Sequence, residues 1–206
     1  EVACLLQYWD VVDSAGEPYY ARDVPISGDY AYVACFDGRM AIIDISDPLN
    51  PGQPSYRFTG GLPSAVEISG GLAYVATDYL GLAIMDVVGP TYPGEPVYEA
   101  TSETASEVAV RGGYAYVIDN TKGLAIVDIS DPAHPQLRLN RHTDDFAEAV
   151  VVAGDYAYVA TGEAGVAVID VSDPLSPGAP VYHPTAGPCL GIAVAGSYAY
   201  AAIYGA

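Results

Sequence analysis

Residues 154–174 read GDYAYVATGEAGVAVIDVSDP, and nearly the same phrase occurs as GDYAYVACFDGRMAIIDISDP at 28–48 and GGYAYVIDNTKGLAIVDISDP at 112–132. The dipeptide Ala-Tyr sets the spacing. It recurs at Ala31, Ala73, Ala115, Ala157 and Ala199, each 42 residues after the last, and a glycine keeps the same step at Gly28, Gly70, Gly112, Gly154 and Gly196. So does an aspartate, at Asp10, Asp44, Asp86, Asp128 and Asp170, except that the interval from Asp10 is shorter. A register kept over the chain marks a repeat architecture, in which each unit buries its apolar face only against its neighbours.

Each unit reads as short strands. SAVEISG (64–70) alternates and puts Val66 and Ile68 on one face. GYAYVI and GLAIVDIS are β-branched and aromatic runs, and a weaker fourth run such as APVYHPT follows. Glycines and the SDP turn separate the runs, and no stretch has helical spacing. Four antiparallel strands per unit of this length predict a propeller blade. Near the start, LQYWDVVDSAGEPYY (6–20) aligns with LAIMDVVGPTYPGEPVY (82–98), whereas the end, GIAVAGSYAYAAI, aligns with the first two strands of a unit. The expectation is a single domain over 1–206. It is an all-β, five-bladed β-propeller with blades near 22–59, 63–100, 105–140 and 147–184, and a split blade formed by 189–206 plus 1–20. Pairing of the N-terminal outer strands with the C-terminal inner strands closes the ring and removes open sheet edges.

LAIVDISDPAHP (124–135) and VAVIDVSDPLSP (166–177) resemble the LVIVD repeat, a bacterial and archaeal propeller-type repeat often found in exported and cell-surface proteins. The resemblance covers essentially the whole chain and is weakest over 1–20. It implies a β-propeller and export, and it carries over no catalytic residues.

Composition narrows the function. Seven Lys and Arg stand against 26 Asp and Glu, a formal charge of −19, which repels nucleic acids and anionic membrane surfaces. Apolar residues make up 51%, so the chain is not disordered, and no apolar run approaches the roughly 18 residues of a membrane-spanning helix. The first residues, EVACLLQYWD, have no initiator Met and no signal-peptide pattern, so the expectation is a mature or excised piece of something longer, extracellular or on a cell surface. Three cysteines are too few for a disulfide scaffold or a zinc site. Cys4 and Cys189 both fall in the split blade, where a disulfide would staple the closure; a Cys4–Cys35 pairing stays open as well.

Residues present in every unit are read as scaffold. The repeated aspartates sit in apolar strands and must be hydrogen-bonded, to a turn N–H or a tyrosine hydroxyl. Asp47, Asp131 and Asp173 of SDP organise turns. Tyrosines at i and i+2 of a strand share a face and pack against the neighbouring blade; the functional alternative is a sugar-binding ladder.

Function is expected where the copies differ. The loops FTGGLPS, ATSETAS, NRHTDDFAE and PTAGPCL, with CFDGRM, TDYLGL, IDNTKGL and TGEAGV, gather on one face. Candidate ligand-binding residues are Asp23, Asp37, Tyr79 and Glu107, with Arg141, His142, Asp144, Asp145, Phe146 and Glu148 of the busiest loop. Surface variation without function is the plain alternative, and a lone loop histidine is ordinarily solvated. The reading is a non-catalytic binding or scaffold module that presents short loops around an axial pocket to a protein or glycan, and the expectation is a monomeric domain of a larger protein. Two alternatives stand: a purely structural part of a surface assembly, or a glycoside hydrolase using axial carboxylates about 5–9.5 Å apart, drawn from Asp23, Glu67, Glu107, Asp145 and Glu148. No nucleotide, redox or EF-hand motif is present; no cofactor is expected, and Ca²⁺ is suggested only by the acidity.

Overall fold

The computed structural model describes residues 20–89 and 94–205. Among these there are nineteen β-strands and no helix. The first sheet contains β1 (Ala21–Asp23), β2 (Ile26–Ser27), β3 (Tyr30–Cys35), β4 (Arg39–Asp44) and β5 (Ser55–Phe58), with β1 and β2 together forming its interrupted first strand. The second is β6 (Pro63–Ser69), β7 (Leu72–Thr77), β8 (Gly81–Asp86) and β9 (Val97–Glu99). The third is β10 (Ala105–Arg111), β11 (Tyr114–Asp119), β12 (Gly123–Asp128) and β13 (Gln136–Arg141). The fourth is β14 (Ala149–Ala153), β15 (Tyr156–Ala160), β16 (Val166–Asp170) and β17 (Val181–His183). A two-stranded sheet of β18 (Cys189–Ala195) and β19 (Tyr198–Ile203) ends the described chain. All pairings are antiparallel meanders, the propeller-like arrangement expected from the repeats. The 1–19 half of the expected split blade lies outside the described residues.

The recurrent Ala-Tyr has a packing explanation. Successive strand residues point to opposite faces, so alanine looks back to the preceding sheet and tyrosine forward to the next. Tyr32 and Ala73 lie in one buried cluster between the first two sheets. Tyr74 and Ala115 lie in the next, and Tyr116 and Ala157 in the third. A large ring enters where the neighbour offers only a methyl, and Tyr32, Tyr74 and Tyr116 retain 2–5% of their accessible surface. The third strand of each unit completes the clusters with Met40 and Ile42, Leu82 and Ile84, and Leu124 and Ile126.

The repeated aspartates are structural, but they stand at strand ends and not within the apolar interior. Oδ1 of Asp44, Asp86, Asp128 and Asp170 accepts the N–H two residues on, from Ser46, Val88, Ser130 and Ser172, at 2.8–3.0 Å. Hydrogen bonds from the Ser130 hydroxyl and from Arg138 hold the Asp128 carboxyl down at about 2. In SDP, Asp47, Asp131 and Asp173 each accept the N–H two residues later at 3.1 Å, fixing the turn as the sequence suggests.

Two kinds of glycine separate in space. Gly112 has φ +59° and an added Cβ would meet nothing within 4 Å. Gly123 has φ +91°, and a Cβ there would lie 2.5 Å from Arg141 O and 2.7 Å from Thr143 N, where the fourth strand crosses the hairpin. Gly112→Ala is therefore expected to cost about 1 kcal/mol from the left-handed backbone alone. Gly123→Ala must also push strand β13 away and is expected to cost at least about 2 kcal/mol. Urea unfolding of the two variants checks the order; equal losses would refute the close approach.

Candidate functional site

The first strands of the five sheets lie side by side: β6 packs beside β1 and β10, β10 beside β14, and β14 beside β18. Residues from each of them line a cavity of about 380 Å³. Valines 66, 108, 110 and 150–152 and Ile192 supply its apolar wall, whereas Asp23, Glu67 and Glu107 are its ionisable residues. Register shifts precede Asp23, Ala65, Glu107 and Gly191, so a bulge recurs near the start of the first strand and re-aims the residue that follows.

Each carboxylate has a distinct environment. Asp23 ties neighbouring units together: its Oδ2 accepts the Val66 N–H at 2.8 Å while Oδ1 accepts the Val24 N–H at 2.8 Å. Burial raises the Glu67 carboxyl above its ordinary value, and the Asp23 charge adds to this. Burial lifts Glu107 to about 7; the Val108 N–H on Oε1 at 3.1 Å lowers it, and the charges of Asp23 and Glu67 raise it. Near neutral pH Glu107 is thus divided between a carboxylic acid, which donates, and a carboxylate, which only accepts. A cavity of this kind favours ligands with hydroxyl or amine donors and repels anions. Among the described residues, no cluster of three or more His, Cys, Asp or Glu is arranged to hold a metal ion.

The variable loops lie on one end of the sheets, as antiparallel order requires, but many of their polar groups are used within the protein. Asp37 pairs with Arg39 through its Oδ2 and accepts the Arg39 N–H at 3.1 Å with Oδ1. Asp145 accepts the Phe146 and Glu163 N–H groups at 2.8 and 2.9 Å, pinning its loop to the β15–β16 hairpin. Arg141 closes the outermost strand β13, away from the cavity of the first strands, and its guanidinium donates to Pro177 O. The Asp144 N–H donates to the Tyr182 hydroxyl at 2.6 Å. His142 and Glu148 are exposed, and neither these nor Asp145 line the cavity of the first strands. Asp144, Asp145 and Phe146 instead border a shallow 240 Å³ depression with Thr121 and Thr143. Tyr79 is 82% exposed at its hairpin tip.

Sequence reasoning passed over Asp119. It is fully buried, with Oδ2 accepting the Glu103 N–H at 2.9 Å and Oδ1 without a partner among the described residues. The available signal was positional, since 35, 77, 119 and 161 read Cys, Thr, Asp and Thr. Cys35 and Cys189 are buried and form no disulfide among the described residues, and burial pushes Cys35 up to about 11. Cys4, the other half of the expected disulfide, lies outside the described residues.

Glu107 makes stability depend on pH. Its folded value, about 7, exceeds the ordinary 4.5, so the folded protein keeps a proton that the unfolded chain releases. That contribution is complete below about 4.5 and is lost as the pH rises through about 7. The shift corresponds to roughly 3 kcal/mol. Glu107→Gln is expected to resemble the parent at pH 5 and to exceed it in stability at pH 8, by urea unfolding. A difference independent of pH would refute the assignment.

The LVIVD-repeat profile matches residues 18–54, 60–97, 103–143 and 146–179. No curated protein matches the chain. Among solved structures, the computationally designed Ika8 protein superposes with a TM-score of 0.67 at 11% identity over 89% of this chain, which spans 55% of that one. The computationally designed Ika4 protein gives 0.61 at 12% identity, covering 76% of this chain and 94% of that one. At such identities the likeness concerns the fold alone. Each of the four matched repeats takes in the first three strands of one four-stranded sheet, and the chain belongs to the LVIVD-repeat family.

Proposed function

We propose that this chain is a closed five-bladed ring that serves as a non-catalytic recognition module of an exported or cell-surface protein. The observation that carries the reading is the axial cavity, to which all five first strands contribute and in which Asp23, Glu67 and Glu107 stand with no basic residue among them. Interlocked sheets hold these groups in place before a ligand arrives, which lowers the ordering cost of binding. The ligand class is one rich in donors and free of negative charge: a neutral glycan, or a peptide presenting an amine or guanidinium. Residues 1–20 complete the fifth blade in this reading.

An array of neutral glycans, acidic glycans and basic peptides tests it. Binding is expected among the neutral or basic members, absent from the acidic ones, and weakened at least about tenfold by Asp23→Asn with Glu107→Gln, the loss of roughly one charge-assisted hydrogen bond. Binding only to acidic glycans would overturn the reading, and no binding at all would leave a purely structural role. Glycoside hydrolysis is a second reading, favoured by the elevated Glu107 carboxyl beside ionisable neighbours, since such enzymes pair a protonated acid with a carboxylate. Reducing ends released by the parent and lost with Glu107→Gln would establish it in place of the first.

A further inference from the structure

We propose that the depression on the loop face is a docking site for an arginine side chain of a partner peptide, with the Phe146 ring and the Asp144 carboxylate as its two recognition groups. It lies apart from the cavity of the first strands and does not depend on closure of the ring. Thr121, Thr143, Asp144, Asp145 and Phe146 border it, and its volume is about 240 Å³. That is below the roughly 300–1,000 Å³ of a pocket for a whole small molecule and suits one planar head group.

The loop is rigid beneath an exposed ring. The Phe146 N–H donates to Asp145 Oδ1 at 2.8 Å and the Glu163 N–H to Asp145 Oδ2 at 2.9 Å, while the Thr143 hydroxyl donates to Asp145 O at 2.8 Å. The Ala147 N–H donates to Asn120 O at 3.2 Å, and Ala147 is buried. The Asp144 N–H is taken by the Tyr182 hydroxyl at 2.6 Å. With its neighbours so tied, Phe146 still keeps 57% of its surface in water. A large apolar ring held outward by a fixed loop and rimmed by polar groups marks a contact surface.

The repeat singles out the same two residues. Asp144 stands where other units have Gly60, Ser102 and Ala186, and Phe146 where they have Leu62, Thr104 and Pro188. The scaffold therefore needs neither. Both oxygens of Asp145 already accept backbone N–H groups, so the exposed Asp144 is the carboxylate that remains for a ligand.

Charge selects the occupant. The face of an aromatic ring attracts a cation, and a guanidinium, being planar, stacks on the ring while its edge meets a carboxylate. The first sheet uses this combination internally. Arg22 lies 4.3 Å from the centre of the Phe36 ring, and Arg39 lies 4.5 Å from that of Tyr56 while pairing with Asp37. Phe146 and Asp144 present the same ring and carboxylate with no cation paired to them among the described residues. The basic groups nearest in sequence are engaged elsewhere, Lys122 with Glu103 at 3.5 Å and the Arg141 guanidinium with Pro177 O. A net charge of −19 draws basic peptides to the molecule and repels acidic ones. A neutral sugar could also stack on Phe146, but it gains nothing from that field.

Backbone-amide shifts in NMR spectra of the full chain separate the two sites: Thr121, Phe146 and Glu163 report the depression, Val66 and Val108 the cavity of the first strands. An end-blocked Gly-Arg-Gly peptide is expected to move the first set, with an affinity that falls as salt is added. Citrulline in place of its arginine, alike in shape but uncharged, is expected to weaken binding at least about tenfold, as is Phe146→Ala. Asp144→Asn is expected to weaken it as well and Phe146→Tyr to retain it, all three variants keeping the parent's urea midpoint. The response is expected to persist in the Asp23→Asn, Glu107→Gln double variant, so failure of the cavity as a binding site leaves this one standing. Equal binding of the citrulline peptide, or shifts confined to Val66 and Val108, overturns the proposal. Equal binding of the lysine peptide overturns the guanidinium assignment. Cellobiose moving Thr121 and Phe146 where the arginine peptide does not overturns the site in favour of a glycan.

Discussion

The structure depends on one contact made again and again: a tyrosine ring of one sheet set over the alanine of the next. A single hairpin or small sheet is barely stable in water because its faces stay wet. Here each face is dried by its neighbour, and the ring-against-methyl fit fixes the spacing and orientation of successive sheets. Backbone contacts reinforce it. The Ala105 N–H donates to Asp78 O at 2.9 Å, the Ala147 N–H to Asn120 O at 3.2 Å and the Cys189 N–H to Gly162 O at 2.8 Å, each linking a hairpin to the sheet that follows. Stability is therefore shared between neighbours, in the manner of repeat proteins.

Uniform packing leaves the cavity shared by the first strands as the place where units can differ without harm. In four of the first strands a bulge frees one residue from strict alternation, and the copies spend that freedom differently, as Asp23, Ala65, Glu107 and Gly191, whereas β14, with Ala149 at this position, pairs without a register shift. Large acidic and small residues side by side give the cavity both its charge and its room. Burial in this cavity lifts Glu107, and the charges of Asp23 and Glu67 add to it, so the elevation is a property of the assembled first strands, not of any single unit.

The loops divide into tips that face solvent and stems that hold the protein together. Asp37, Asp145 and Arg141 look like binding groups in the sequence because they are charged and occur once. In space, each is tied to a hairpin or a backbone carbonyl, so their charge serves loop geometry. Asp119 shows the converse. A carboxylate in a position that other units give to threonine or cysteine is wholly enclosed, and no composition argument distinguishes it from an exposed one.

The period, the strand content, the turn roles of the SDP aspartates and the inward tyrosines were legible in the sequence, because each follows from local geometry repeated at a fixed spacing. Asp23, Glu67 and Glu107 were also legible as candidates, since position within a unit places each on its first strand. Tertiary structure alone decided that these three meet in one cavity while Asp145 and Glu148 stay outside it. It alone decided which loop charges are spent on internal hydrogen bonds, and that the aspartate series stands at strand ends. The physical reason is that spacing along a chain fixes which face a residue takes, whereas burial, field and hydrogen-bond partners depend on what the neighbouring sheet brings to the same point.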